Sequence, residues 1–207
     1  MAGTAIIIVR HGETALNAAR VLQPAATPLG ARGRAQAQAV AQRLAAEPVA
    51  AVLSSDLPRA WATAEAIAAR CAVPLRASER LHERNFGVLR GRPYDSLGFD
   101  PLVMAAAPEG GESLAAFERR VDAAWQEILA ASRGLQGDLV VVTHGLVIRR
   151  LLAVSGAVPA ATLAALHLGN TALSILAAEP PHAARLLGCT RHLEGGQADD
   201  GRALVGG

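Results

Sequence analysis

Near its start the chain reads Ile6-Ile7-Ile8-Val9-Arg10-His11-Gly12-Glu13-Thr14. The apolar, β-branched residues at the front of this stretch are typical of a buried β-strand. The apolar run ends abruptly, and a cation, an imidazole and a glycine follow it. Ligands of open α/β sheets bind beyond the carboxyl ends of the strands, so Arg10 and His11 are expected where such folds carry out chemistry. The sequence therefore predicts a functional site at the end of the first strand.

The composition predicts one soluble domain. The 207 residues are in the usual range for a single domain, and 51% of them are hydrophobic, enough for a sizeable core. No apolar run approaches the length of a bilayer span, and residues 6–9 follow no basic segment of the kind that opens a secretory signal. A formal net charge of +2 is too small to indicate nucleic acid or an anionic membrane as a partner. We therefore expect a cytoplasmic protein, with a homodimer left open.

Arginine supplies all of the cationic side chains. The sequence contains 20 arginines and no lysine, a bias that GC-rich codon usage explains together with the excess of alanine. Every cationic contact to a substrate must therefore come from guanidinium, imidazole or backbone N–H groups. The two cysteines, Cys71 and Cys189, show no metal-ligand spacing and are interpreted as free thiols of a reducing compartment.

Helix-like and strand-like segments alternate along the chain. Helices are predicted over residues 31–47, 58–71, 113–132 and 146–154. Strands are predicted over residues 6–9, 49–53, 73–75, 139–143, 166–168 and 172–177, and near Leu186. This alternation favours one α/β domain over residues 1–191, with a mostly parallel central sheet.

Three segments fall outside this alternation. Residues 80–112 are rich in charge, glycine and proline, and only a short helix is expected near 95–104. Long irregular excursions of compact domains usually bind ligands, so we interpret this one as lid-like. Residues 14–28 are predicted to form a loop over the end of the first strand. Residues 192–207 are polar and glycine-rich, which predicts a mobile tail.

Two apolar strands end in histidine, at His11 and at His144. Taken alone, each is most simply a hydrogen-bonded structural histidine. A metal site is a further alternative, but only Glu13 lies near either histidine at ligand spacing, which makes metal the weaker hypothesis. If both strands belong to one parallel sheet, the two imidazoles meet at one edge of it.

Four blocks of sequence occur in an order and at spacings that point to one family. They are Arg10-His11-Gly12-Glu13-Thr14 with Asn17, Ser54-Ser55-Asp56-Leu57-Pro58-Arg59-Ala60 with Thr63-Ala64, Leu81-His82-Glu83 with Gly87 and Gly91, and Val142-Thr143-His144-Gly145 with Arg149. Together they resemble the signature of the histidine phosphatase superfamily, which contains the cofactor-dependent phosphoglycerate mutases. A fifth block, Gly110-Gly111-Glu112-Ser113, recurs in many bacterial members. The resemblance covers roughly residues 5–178 and implies a three-layer α/β/α domain of the phosphoglycerate mutase type.

The resemblance implies a role for each matched side chain. His11 would be the nucleophile that becomes phosphohistidine, and Glu83 would protonate the leaving-group oxygen. The groups expected to surround the transferring phosphoryl group are Arg10, Arg59 and His144. Further hydrogen bonds would come from Asn17, Gln23 and the Gly145 N–H. The resemblance implies neither a metal ion nor another cofactor.

These roles agree with the chemistry of phosphoryl transfer. A phosphoryl group in transfer is loose and anionic, so catalysis consists mainly of positioning and fixed positive charge. Guanidinium groups bind phosphate oxygens through paired N–H bonds. His11 must attack as a neutral imidazole, so its other nitrogen needs a fixed acceptor, for which a backbone carbonyl is expected. Glu83 must carry a proton, which the negative charge of a bound phosphate favours.

The sequence departs from the family pattern at the rim of the expected pocket. Pro24 follows Gln23 where many relatives have glycine, and Thr27 stands near the place of an aspartate. Arg90 occupies a position before Gly91 where glutamate is common. These changes make the rim more cationic and bear on the substrate class, whereas the five catalytic side chains are intact.

The mutase members resemble this chain less well. They carry a longer insertion before the second-histidine block, with a lysine and arginines for the substrate's carboxylate, whereas residues 92–113 here contain only Arg92. We therefore expect a phosphomonoesterase of the histidine acid phosphatase type that needs no metal and acts on a small phosphorylated metabolite. The enzymatic alternatives are phosphoglycerate mutase, α-ribazole-5'-phosphate phosphatase and protein-phosphohistidine phosphatase. The non-enzymatic alternative is a module that binds phosphorylated ligands.

Overall fold

A six-stranded sheet forms the middle layer of the fold. The computed structural model describes residues 4–193. The strands are β1 (Ala5–Arg10), β2 (Val49–Ser54), β3 (Leu75–Ala77), β4 (Asp138–Thr143), β5 (Leu173–Ala177) and β6 (Ala184–Cys189). Their order is β3-β2-β4-β1-β5-β6, in which the first four run parallel and β5 pairs antiparallel with both neighbours. The predicted mostly parallel sheet is therefore confirmed.

Six α-helices accompany the sheet within the described residues. They are α1 (Ala15–Ala18), α2 (Ala31–Leu44), α3 (Pro58–Cys71), α4 (Leu114–Ser132), α5 (Gly145–Val154) and α6 (Ala160–Ala165). Local sequence explains where helices begin, since Pro58 opens α3 and the Ser113 hydroxyl accepts a hydrogen bond from the Ala116 N–H at 3.2 Å. Over residues 4–193, no helix has the length and hydrophobicity needed to cross a bilayer.

Side chains of β1 alternate between two apolar layers. Ile6 and Ile8 pack with residues of α4 and α5, whereas Ile7 and Val9 pack with residues of α2 and α3. All four side chains are buried, so β1 is covered on both faces. The helices thus enclose the sheet in a three-layer α/β/α domain, which confirms the expected fold class.

Residues 80–112 form an irregular wall beside the sheet edge. Its only regular pieces are short 3-10 turns at Glu79–Leu81, Gly87–Leu89 and Tyr94–Ser96, so the helix predicted near 95–104 is wrong. Instead of a helix, the buried Arg84 guanidinium holds this part of the wall together, because the guanidinium donates hydrogen bonds to a set of backbone carbonyl oxygens. These acceptors belong to Pro101, Leu102, Met104 and Glu112.

Three further predicted elements differ from the structure. Residues 166–168 form a loop instead of a strand, because their carbonyl groups bind arginine side chains rather than a neighbouring strand. The predicted loop at 14–28 contains α1, which a capping box between Thr14 and Asn17 stabilises. Helix α6 was not predicted, because its six residues are too few for a periodic pattern.

The tail predicted over residues 192–207 is largely outside the described residues. Its first two residues belong to a short 3-10 turn at Arg191–Leu193. The His192 ring lies 2.9 Å from the Thr171 hydroxyl, and burial lowers the pKa of His192 to about 4. Residues 194–207 lie outside the described part of the chain.

Two glycines allow α2 to approach the loop that follows β1. A Cβ atom on Gly33 would lie 1.9 Å from the Glu13 carbonyl oxygen, and one on Gly12 would lie 2.4 Å from the Gly33 carbonyl oxygen. Both obstacles are backbone atoms, which cannot turn aside as a flexible side chain can. This close backbone contact therefore holds the loop that begins at His11.

The substitution Gly33→Ala is expected to destabilise the fold by about 1–3 kcal/mol, the usual cost of overpacking, although alanine is the better helix former. Urea unfolding of the variant and the wild type measures this difference. Gly30→Ala is the matched control, because a Cβ atom at Gly30 would meet no atom closer than 3.6 Å. Equal destabilisation by the two variants would contradict the packing explanation.

Candidate active site

The pairing of β1 with β4 brings two histidines to one edge of the sheet. Arg10 lies opposite Thr143 in the parallel register, so His11 and His144 leave the sheet side by side. Their ring centroids are 5.1 Å apart at an interplanar angle of 58°, and both residues are fully buried. The structure thus brings together the two histidines that the sequence singled out.

A single hydrogen bond defines the tautomer of His11. Its Nδ1 atom lies 2.7 Å from the Gly12 carbonyl oxygen, which can only accept, so Nδ1 carries the proton. In a neutral imidazole, Nε2 then carries the lone pair. The loop is held by further bonds, since the Gly12 N–H donates to the Thr63 hydroxyl at 3.1 Å and the Asn170 amide donates to the His11 carbonyl at 3.1 Å. These bonds therefore fix the position of the His11 ring.

The second histidine is held by Ser55. His144 Nε2 lies 2.9 Å from the Ser55 hydroxyl oxygen, which also accepts a hydrogen bond from the Leu57 N–H at 3.3 Å. Burial, followed by the charge of Arg59, holds the pKa of His144 well below its usual value, so the ring is neutral at physiological pH. When the Ser55 hydroxyl donates to Nε2, Nδ1 carries the ring proton. That Nδ1 atom is buried and has no hydrogen-bond partner among residues 4–193, so it can donate to a ligand.

Two buried guanidinium groups supply positive charge at this edge. Arg10 donates to the Leu168 carbonyl oxygen at 2.6 Å and is fully buried. Within residues 4–193, the hydrogen bonds of Arg59, the second residue of α3, are two long ones of 3.5 Å to the carbonyls of Pro24 and Ala25. Burial, with repulsion from Arg90 and Arg10, lowers the pKa of Arg59 to about 10, which still leaves it charged at neutral pH. Buried cations at this density favour an anionic ligand.

Glu83 lies at the N-terminus of α5. Its carboxyl oxygens accept hydrogen bonds from the Arg84 N–H at 2.9 Å and the Leu146 N–H at 3.2 Å. Burial raises the pKa of Glu83, although those two bonds and the nearby Arg59 and Arg10 charges oppose the shift. Glu83 therefore retains its proton to a higher pH than an exposed glutamate does.

Three more predicted residues surround the same edge. Asn17 and Gln23 are buried, and their side-chain nitrogens have no hydrogen-bond partner among residues 4–193. The oxygen atoms of both amides are engaged, since Asn17 caps α1 and Gln23 accepts from Thr14 at 2.8 Å. Gly145 is the first residue of α5, so its N–H lacks an acceptor within the helix. All eight sequence-predicted site residues thus lie at or beside this edge of the sheet.

Sequence reasoning missed some of the supporting residues. Ser55 belongs to the second motif block, but no role was assigned to it there. Asn170 offered no signal, because a single amide in a segment of uncertain structure is common. Its side chain joins the site by bonding both the His11 carbonyl and, at 3.4 Å, the Asn17 amide oxygen.

A cleft of about 1180 Å³ opens beside the candidate site. Residues that line it include Leu57, Ser78, His82, Glu83, Arg90 and Arg120. The lining mixes charged, polar and apolar side chains, and Glu83 belongs to both the cleft and the histidine edge. Within the described residues, no cluster of histidine, cysteine, aspartate or glutamate has the arrangement of a metal site. A ligand in the cleft therefore meets the histidine edge at Glu83.

The chain belongs to the histidine phosphatase superfamily. The sequence model of its branch 1 matches residues 6–187, a range that includes every site residue named above. The family assignment made from the motif blocks is therefore confirmed.

The relatives include both mutases and phosphatases. The probable phosphoglycerate mutase GpmB of Yersinia pestis (strain Pestoides F) is 37% identical over 179 residues, which are 82% of this chain and 82% of the relative. A mycobacterial glucosyl-3-phosphoglycerate phosphatase, solved with VO3, has a TM-score of 0.70 at 30% identity and covers 84% of this chain and 90% of its own. A putative α-ribazole-5'-P phosphatase of Escherichia coli K-12 has a TM-score of 0.76 at 28% identity, covering 89% and 96%. Membership of this family supports an enzymatic function.

The substitution Ser55→Ala is expected to let His144 populate both neutral tautomers. It removes the only protein hydrogen bond that the structure gives Nε2 within residues 4–193. Nitrogen-15 NMR of the histidine rings measures this, since a fixed tautomer gives two well-separated ring-nitrogen shifts. In the variant we expect these shifts to move towards each other. Ser96→Ala, at an exposed serine of the wall, is the control. Unchanged His144 shifts in Ser55→Ala would contradict the assigned role of Ser55.

Proposed function

We propose that the protein is a phosphomonoesterase that hydrolyses a small phosphorylated metabolite through a phosphohistidine at His11. One observation carries the proposal: a histidine whose Nδ1–H bonds a backbone carbonyl lies beside two buried guanidinium groups and a carboxyl whose pKa burial raises. The nucleophile, the stabilising charge and the acid that phosphoryl transfer requires are thus available together.

In the first step, His11 Nε2 attacks phosphorus and the bond from phosphorus to the substrate oxygen breaks. Arg10, Arg59 and the Nδ1–H of His144 stabilise the negative charge of the phosphoryl oxygens. Glu83 donates its proton to the departing oxygen, and an alcohol leaves. The carboxylate of Glu83 remains in the site.

In the second step, water attacks the phosphorus of phosphohistidine. Glu83 accepts a proton from that water, the nitrogen–phosphorus bond breaks, and phosphate is released. His11 returns to its neutral state and Glu83 to its protonated one. The amides of Asn17 and Gln23 and the Gly145 N–H would add hydrogen bonds to the phosphate oxygens in both steps.

The second candidate function is phosphoglycerate mutase, which the 37% identity to the Yersinia protein favours. A mutase returns the phosphoryl group to a phosphoglycerate rather than to water, so it must hold the carboxylate of that substrate. The short segment 92–113, with Arg92 as its one arginine, supports the phosphatase instead. The structures of the mycobacterial and Escherichia coli proteins, both described as phosphatases, support it as well.

Phosphate release from a panel of small phosphomonoesters tests the proposal. In the presence of EDTA, we expect turnover by the wild type and a loss of at least about a thousandfold in His11→Ala, because the nucleophile is missing. His167→Ala, at an exposed histidine, is the matched control and should keep full activity. Isomerisation of 3-phosphoglycerate without phosphate release would favour the mutase. Turnover that survives in His11→Ala would exclude the covalent mechanism.

The pH dependence of turnover tests the role of Glu83. Because the acid must be protonated, kcat/KM should fall as pH rises through the raised pKa of Glu83. Glu83→Gln cannot donate a proton, so its kcat/KM, which covers only the steps up to formation of phosphohistidine, should fall about 10²–10⁴-fold on an alkyl phosphate and much less on p-nitrophenyl phosphate, whose leaving group needs little protonation. An equal loss on both esters would show structural damage rather than a missing acid.

A further inference from the structure

Three arginines line the cleft, and two of them are already neutralised. Arg80 pairs with Glu127 at 3.2 Å, and Arg120 binds both carboxyl oxygens of Glu112 at 3.0 and 2.7 Å. Arg90 makes no side-chain hydrogen bond or ion pair with any other residue in the range 4–193. Arg90 is therefore the one arginine of the cleft lining that forms no ion pair with an acid of the described residues, although the carboxylate of Glu79 also lines the cleft.

The position of Arg90 is set by its backbone. The residue follows the 3-10 turn at Gly87–Leu89, and its N–H donates to the Gly87 carbonyl at 3.1 Å. The next N–H, of Gly91, donates to the Leu22 carbonyl at 2.7 Å, which ties the turn to the segment after α1. Arg90 is thus a half-buried cation on an anchored turn rather than a freely extended surface side chain.

Arg90 is also close to the buried charges of the site. Its cation adds to the lowering of the Arg59 pKa, and burial lowers the pKa of Arg90 itself. Placing a half-buried guanidinium near another one costs free energy, because both lose water and repel each other. An anionic ligand in the cleft would offset this cost.

The groups that would hold the transferring phosphoryl group do not line the cleft, whereas Arg90 does, although its charge is near that of Arg59. Arg10, His11 and His144 lie at the sheet edge, whereas Arg90 and Glu83 line the cleft. In the proposed function, Glu83 protonates the departing oxygen, so the part of the substrate that leaves extends from Glu83 into the cleft. Arg90 therefore lies beside the leaving group.

We propose that Arg90 forms a subsite for a second anionic group, a carboxylate or a second phosphate, on the leaving part of the substrate. This inference rests on the proposed function and names its substrate class: phosphomonoesters that carry another negative charge. A guanidinium is suited to either group, because it can present two parallel N–H bonds to a pair of oxygens. Arg90 would then determine specificity, since it touches a part of the substrate that is not transferred.

Matched pairs of substrates test the subsite. 3-Phosphoglycerate and glycerol 3-phosphate share a carbon skeleton and differ by a carboxylate, and fructose 1,6-bisphosphate and fructose 6-phosphate differ by a phosphate. Arg90→Gln should raise KM about 10- to 100-fold for the doubly anionic member that Arg90 binds, the range expected for loss of charged hydrogen bonds. For the other member of that pair KM should change less than about twofold, and kcat should change little for either. Arg92→Gln, two residues away and exposed, is the control and should leave KM unchanged for all four substrates.

The pair that responds to Arg90→Gln shows which anion Arg90 binds: the 3-phosphoglycerate pair reports a carboxylate and the fructose 1,6-bisphosphate pair a second phosphate. An equal loss of kcat/KM on both members of each pair would overturn the proposal, because Arg90 would then act on the transferred phosphoryl group. No change on any substrate would also overturn it. Failure of the proposed function is a different result, namely no phosphate release by the wild type. In that case, calorimetric binding of the same pairs to wild type and Arg90→Gln applies the same criterion to Kd.

Discussion

The parallel pairing of β1 with β4 is the interaction on which the site depends. It places the residues after Arg10 and Thr143 next to each other, so two imidazoles meet without any contribution from a long loop. β2 lies on the other side of β4 and places Ser55 within reach of His144 by the same rule. Three adjacent strands thus supply the reactive edge, and the Gly12–Gly33 contact limits how far the first of them can shift.

The electrostatics of this edge are unbalanced in favour of positive charge. Arg10 and Arg59 are buried together, and Glu83, whose raised pKa favours its neutral form, offsets little of their charge. Burial of such groups costs stability, which a folded protein tolerates where function requires it. His144 avoids adding to the excess, because the same burial and the same neighbours keep its ring neutral. The chain therefore keeps its positive charge on groups that cannot lose it at neutral pH.

The layers of the fold and the reactive histidines could be predicted from the sequence because both depend on short, strong patterns. The runs before His11 and before His144 are apolar throughout and end in polar residues, which marks buried strands and their functional ends. The motif spacing added Arg59 and Glu83, which periodicity alone would have left on the surface. Asn170 and the end of the loop at 166–168 could not be predicted in this way, because Asn170 and Leu168 bond to residues more than a hundred positions away. The buried role of Arg84 could not be predicted either, since its contacts with nearby carbonyl groups exist only once the irregular wall has folded around it.

The buried guanidinium of Arg84 links the proton donor to the wall of the cleft. Glu83 and Arg84 are consecutive, and the Arg84 side chain bonds carbonyl groups along residues 101–112. Lengthening the wall at these carbonyls would therefore also move the carboxyl of Glu83 relative to its substrate. Replacing a single side chain at the rim of the cleft, such as that of Arg90, would leave the Glu83 carboxyl in place. Among chains that keep the wall at this length, we therefore expect changes of substrate to come from residue replacement along it.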